Sequence, residues 1–483
     1  MSFHEYSDFD AIGLRDLIIS GEVSAHEILT AAFDRISARN RTLNAIVATF
    51  DGLADEQLTL LASAASEQDC EKRTLAGVPI AVKDCVGGVR GVSQKFGTRL
   101  TRSFTAIRDE EIIRRYRDAG VVFVGQTNVP EFSSSITTES VLYGPCRNPW
   151  NPALTVGGSS GGSACAVASG MVPVATANDS AGSIRIPASC TGIFGFKPSR
   201  GRTPNGPDIS EVWNGLFVQH VLTRSVRDSA AFLDISHGID VGAPYVAPAF
   251  EGCYLDETIK PVEQLKIAFS LRALNGVTVD DSCKAAVLDT ARFLENLGHQ
   301  VVEDEPDLPS DRYFEALEHL LCANLAYEFE RHAKAQDTLI TDETVEACHR
   351  QMIDIGKDLP AMALMEFFSL KALCERQMGT FFERYDVYLT PSLAKLPVPH
   401  GHIHANSSNF REYLDRFWAF SPFTTLANIS GIPSMSAPLY QSDCGLPIGS
   451  MFSAGYGQDD KLFRLAGQLE RSLPWKQRTP PAA

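Results

Sequence analysis

The stretch "VGGSSGGSACAVASG", from Val156 to Gly170, limits the possible folds of this chain more than any other. A flexible linker is polar on both sides, but this Gly/Ser run feeds directly into "ACAVASGMVPVATA". That continuation is small, apolar and suited to a tightly packed helix. The glycines permit positive φ and close backbone approach. A second Gly/Ser turn follows in "NDSAGSIRIPAS", Asn178 to Ser189. Two unusual turns on either side of a packable segment argue for a backbone device within a core, not a hinge.

The flanking chain has α/β grammar. "LRDLII" runs to Gly21 as a helix with a glycine cap, and Ser24 with Glu27 forms a capping box ahead of a second helix. "VPIAVKD", Val78 to Asp84, predicts a buried strand. "RDEEIIRRYRDAG" predicts a helix ending at Gly120, followed by the strand "VVFVGQT". The pattern recurs as strand "LKIAFS", a helix stopped by Gly298, and strands "HQVVE" and "DVYLTPS". Residues 310–384 are mostly helical in pattern. No linker or repeat separates units, so the expectation is one α/β domain over 1–483 with a helical subregion.

Charge and cysteine content narrow the function. A net charge of -16 argues against direct nucleic-acid binding, which needs a basic face. No basic run or long apolar segment suggests a membrane patch, a spanning helix or a signal peptide. The eleven cysteines lack a CxxC pair, which favours reduced thiols and a cytoplasmic location. The P-loop lysine, the GxGxxG fingerprint and a usable GxSxG elbow are all missing. The histidine group "HGHIH", His400 to His404, has no nearby acid cluster and reads as a solvated loop rather than a metal site.

The segment Gly157 to Arg202 resembles the defining stretch of the amidase signature family. The resemblance extends to "AGVPIAVKD", to "NVPEF…TTES…GPCRNPWN" and to "SGIPSMSAPL…GLPIGSMF", and so covers nearly the whole chain. It implies a twisted mixed β-sheet core covered by α-helices on both faces. It also implies amide hydrolysis by a Ser-Ser-Lys triad through an acyl-enzyme, with neither metal nor organic cofactor.

Matched onto the motif, the nucleophile is Ser183, the bridging serine is Ser159, 24 residues upstream, and the lysine is Lys83. A serine hydroxyl needs a base to remove its proton as it attacks. Lysine serves only when neutral, so its pKa must fall by about 3 units, or about 4 kcal/mol, and burial in the apolar run before Lys83 can produce that. The resemblance further implies a cis peptide between Gly158 and Ser159. Ser160 beside it either joins the network or caps a helix. The oxyanion hole is expected from the backbone N–H groups of Ser180, Ala181, Gly182 and Ser183. Ala181 departs from the commoner glycine there, and Leu154 from an arginine. Asp179 and Arg185 are expected to be a structural pair.

Within the family the chain looks like the 6-aminohexanoate cyclic dimer hydrolases, through "NDSAGSIRIPAS", the "C…AYEFER" helix and "LERSLPW". That likeness implies a substrate contact by Cys322, with a buried helix cysteine as the alternative. The loop "FSSSITT" brings Ser134 and Ser135 to the expected pocket. The expected partner is a small amide, whether aliphatic, cyclic or aryl, and a homodimer is compatible with the sequence. Carbamate hydrolysis, or service as the glutamine-hydrolysing subunit of a tRNA-dependent amidotransferase, remains open because the triad suits both.

Overall fold

The computed structural model describes residues 3–63, 73–85, 88–101 and 104–481. Eleven strands form one mixed sheet. In chain order these are β1 (Ile46–Thr49), β2 (Pro79–Lys83), β3 (Val122–Thr127), β4 (Val174–Asp179), β5 (Phe194–Lys197) and β6 (Val218–Thr223). They continue with β7 (Lys266–Phe269), β8 (Gln300–Glu303), β9 (Val387–Pro391), β10 (Ser434–Gln441) and β11 (Pro447–Ala454). Their spatial order is β1-β3-β2-β4-β6-β5-β10-β11-β9-β7-β8.

Two parallel groups lie within this sheet. The strands β3, β2 and β4 run parallel, as do β9, β7 and β8, with antiparallel strands between the groups. Parallel strands are covered on both faces and read as continuous apolar runs. The buried sequence Pro79–Lys83 follows that rule and carries its lysine at the strand's carboxyl end.

Local signals place the helices as the sequence suggests. Gly21 ends the Ala11–Ser20 helix in the left-handed conformation, and Ser24 and Glu27 make both bonds of the capping box. The central helix α1 (Gly161–Ala168) is wholly buried, and so is α2 (Arg185–Thr191). The helical pattern after residue 310 resolves into α3 (Ser310–Gln336), α4 (Ala347–Asp358) and α5 (Ala361–Phe382). No helix among the described residues is long and apolar enough to cross a membrane. Ten described cysteines are free thiols.

The opening glycines serve close approach. A Cβ on Gly162 would fall on the backbone N and O of Asn128 and lie 2.8 Å from the Ala45 carbonyl. The Gly162 amide donates to the Asn128 carbonyl, and the Asn128 amide to Ala45. This contact locks α1 against the residue after β3. Overpacking against backbone cannot be relieved by a rotamer change. Gly162→Ala is therefore expected to cost about 2–4 kcal/mol, read as a lowered midpoint in urea unfolding.

Candidate active site

Lys83 lies at the carboxyl end of β2 and Asn178 near that of the neighbouring parallel strand β4. The Lys83 ammonium position is buried and touches three oxygens: Asn178 Oδ1 at 2.6 Å, Ser159 Oγ at 2.8 Å and Ser160 Oγ at 3.0 Å. Burial is the main force that pulls its pKa down, to about 8, against the opposing pull of Cys85 and Asp179. The amide oxygen of Asn178 can only accept. The Ser160 hydroxyl donates to the Asn178 carbonyl at 3.3 Å, so toward Lys83 it accepts. Two amine N–H groups are thereby assigned, and a neutral Lys83 turns its lone pair to Ser159.

Ser159 follows a cis peptide bond from Gly158, as expected from the family pattern. Ser160 begins α1, yet its side chain makes no capping bond there. Its bonds to Lys83 and Asn178 place it in the network. Asn178 carries no signal of its own in the sequence. The pairing of β2 with β4 is what brings it to the lysine.

Ser183 stands in the turn between β4 and α2. The turn is anchored from below by Asp179, whose carboxylate accepts from the Gly182 amide at 2.7 Å and the Ile184 amide at 3.2 Å. Arg185 pairs with Asp179 at 3.0 Å, both side chains fully buried, and Asn428 bonds to each. Burial works to raise the Asp179 carboxyl, but Arg185, Lys197 and Asn428 hold it down at about 2. From the other side the Thr424 hydroxyl donates to the Ala181 carbonyl at 2.5 Å.

This anchoring corrects one expectation. Of the four amides assigned to an oxyanion hole, that of Gly182 is turned away and consumed by Asp179. Gly182 has φ +126, and a Cβ there would strike Thr424 and Ile186. Ser180, Ala181 and Ser183 face a cavity instead.

The cavity measures about 710 Å³ and is lined by Ser159, Asn178 and Ser183 on its floor. Phe96, Phe104, Phe132, Trp213, Phe217 and Phe417 form much of its wall, and Ser134 and Ser135 lie on it as expected. Phe96 and Phe132 stack with centroids 5.8 Å apart, and His332 meets both rings edge-on. Both arginines on the lining are paired, Arg108 with Asp208 and Arg331 with Glu328, and Glu110 and Glu211 lie on the same wall. A second cavity of about 520 Å³, bounded by Arg272, Tyr388 and Phe423, holds none of these serines.

The structure does not bring Cys322 to the cavity wall. Its side chain is buried in an apolar cluster with Leu325, Phe329 and Ile353, and its carbonyl faces Gly356 of α4. Leu321 and Leu325 of the same helix line the cavity. Helical spacing leaves the facing side of α3 undetermined, and packing against α4 decides it. The group "HGHIH" forms a loop in which His400 approaches Glu139 at 3.5 Å. Glu131, Glu346 and His349 are the one acid–histidine cluster compact enough to hold a cation among the described residues. Both Glu131 oxygens and His349 Nδ1 are already committed to hydrogen bonds.

The sheet and the sequence that carry this geometry match a class of known proteins. A family model described as Amidase matches residues 27–463. A putative amidase AmiC of Mycobacterium tuberculosis is 35% identical over 97% of this chain and 95% of its own. The 6-aminohexanoate-cyclic-dimer hydrolase of Paenarthrobacter ureafaciens is 32% identical over 98% of this chain and 96% of its own. A solved structure of 6-aminohexanoate cyclic dimer hydrolase complexed with substrate superposes with TM-score 0.91 at 30% identity, covering 99% of each chain. The chain belongs to the amidase signature family and is a hydrolase of amide bonds.

The Asp179–Arg185 pair yields a stability prediction. Asp179→Asn leaves Arg185 charged and buried without its counter-ion, at a cost of about 3–5 kcal/mol in urea unfolding. The carboxyl lies below its ordinary value of 3.8, so the wild-type contribution is complete above about pH 4. It fades as the pH falls toward 2, and Asp179→Asn should lack that acid-side loss.

Proposed function

We propose that the chain hydrolyses a small, uncharged amide through Ser183, Ser159 and Lys83. The observation that carries this reading is the buried Lys83 amine, 2.6 Å from Asn178 Oδ1, 3.0 Å from Ser160 Oγ and 2.8 Å from Ser159 Oγ, which in its neutral form has only its lone pair left for Ser159. Ser183 attacks the substrate carbonyl carbon as its proton passes to Ser159, whose own proton passes to Lys83. The oxyanion takes hydrogen bonds from backbone amides among Ser180, Ala181 and Ser183, the residues of the turn that face the cavity. Collapse breaks the C–N bond, and the leaving nitrogen takes the proton returned along the same path. Water then attacks the acyl-enzyme, releasing the acid and restoring Ser183.

The apolar wall, with both of its arginines paired, supports an uncharged substrate with an apolar body, linear, cyclic or aryl. Free glutamine would bring two charges into this wall.

Ser183→Ala is expected to lose turnover by at least about 10³-fold on a panel of aliphatic, aryl and cyclic amides and carbamates, and to escape labelling by a fluorophosphonate. Normal turnover in that variant would sink the reading. Because the charged form of Lys83 cannot accept a proton, kcat/KM should rise about tenfold per pH unit from the acid side and level off near pH 8.

A further inference from the structure

Glu131 opens the segment that forms one wall of the catalytic cavity. Its buried carboxylate is held from two other parts of the chain. One oxygen accepts from the Thr98 hydroxyl at 2.8 Å; the other accepts from the Glu346 amide at 2.9 Å and from His349 Nδ1 at 2.8 Å. The Glu131 carbonyl in turn accepts from the Ser134 amide and hydroxyl. Between these anchors Phe132 and Ser133 take left-handed backbone, φ 47 and 57, which a bulky side chain adopts only when its surroundings impose it. The Phe132 amide donates to the carbonyl of Phe96, another left-handed residue, at 2.7 Å. Phe96, Phe132, Ser133, Ser134 and Ser135 all line the cavity.

We infer that Glu131 and His349 form a positioning latch that holds the Phe132–Ser135 wall in its binding shape and so sets affinity for bulky substrates without taking part in bond making. This rests on reading the cavity as the substrate site. The two residues sit 218 positions apart, so the latch ties the wall to α4 across the fold. Carboxylate placement at the start of α4 also suits the positive end of the helix.

The latch has a pH sense. His349 is faced by Glu131, by Glu346 at the start of its own helix, by the Ser134 backbone and by the Phe329 ring of α3. Burial lowers its basicity, but the two acids and Ser134 outweigh that and raise it above the ordinary histidine value. Glu346, in range of Arg99, is raised to about 7 by burial and by the Glu131 charge. Both groups are therefore protonated more readily in the folded state. The stabilisation is present at the acid end and is lost as pH rises through these raised values. At the alkaline end His349 loses its charge and Glu346 becomes a second carboxylate beside Glu131.

Saturation labelling of the full chain by two fluorophosphonates, one methyl-sized and one carrying a phenylalkyl tail, separates wall from nucleophile. In Glu131→Gln and His349→Gln the inhibition constant for the bulky probe should rise about tenfold, with its limiting rate and the small-probe rate within about threefold of wild type. Between pH 6 and 9 the wild-type constant for the bulky probe should climb, whereas that of His349→Gln should climb less, through Glu346 alone. If Glu131→Gln does not fold, Thr98→Val removes a single bond and should raise the same constant about threefold. An unchanged constant, an equal fall in both probes' rates, or the same pH climb in His349→Gln overturns the latch. A wild-type Ser183 that neither probe labels overturns instead the hydrolase chemistry on which the latch rests.

Discussion

A buried amine is the constraint on which the site depends. Lys83 reaches its place because β2 is buried on both faces and ends at the sheet's carboxyl edge. Left alone there it would be a costly donor. Asn178 and Ser160 satisfy two of its hydrogens, and they are available because β4 runs parallel to β2 and α1 starts beside both. The close glycine contact of α1 with Asn128 fixes the depth of Ser159 and Ser160 relative to the amine. Sheet pairing, helix seating and amine chemistry are thus one arrangement.

The turn that carries Ser183 solves a different problem, that of keeping its shape at the cavity floor. Asp179 does this by taking the amides that point inward, those of Gly182 and Ile184, and Arg185 and Asn428 neutralise and orient the carboxylate.

Much of this was legible in the sequence where the information is local. Apolar runs marked the strands, Gly21 and Ser24 marked helix ends, and the Gly/Ser motif marked the serines. The structure brings Lys83 and Ser159 within hydrogen-bond distance and sets Ser159 and Ser183 on one cavity floor. What was not legible depends on which face of an element turns inward or on which strands pair. Cys322 and Leu321 are adjacent on one helix and share one apolar cluster, yet only Leu321 also reaches the cavity, because of how α3 packs on α4. Ser160 reads equally as a cap or a network member until Asn178 is beside it. Glu131 and His349 have no local pattern, because their meeting is a property of the tertiary fold.

Of the seven non-glycine residues with left-handed backbone among those described, four face the cavity: Phe96, Phe132, Ser133 and Trp213. Glycine at any of them would relax the main chain while deleting part of the cavity wall. At these places durability and selectivity pull against each other. A selection for heat resistance alone would drift toward a sturdier protein with a blander pocket. The chemistry at the strand ends, carried by residues without that conflict, would survive the change.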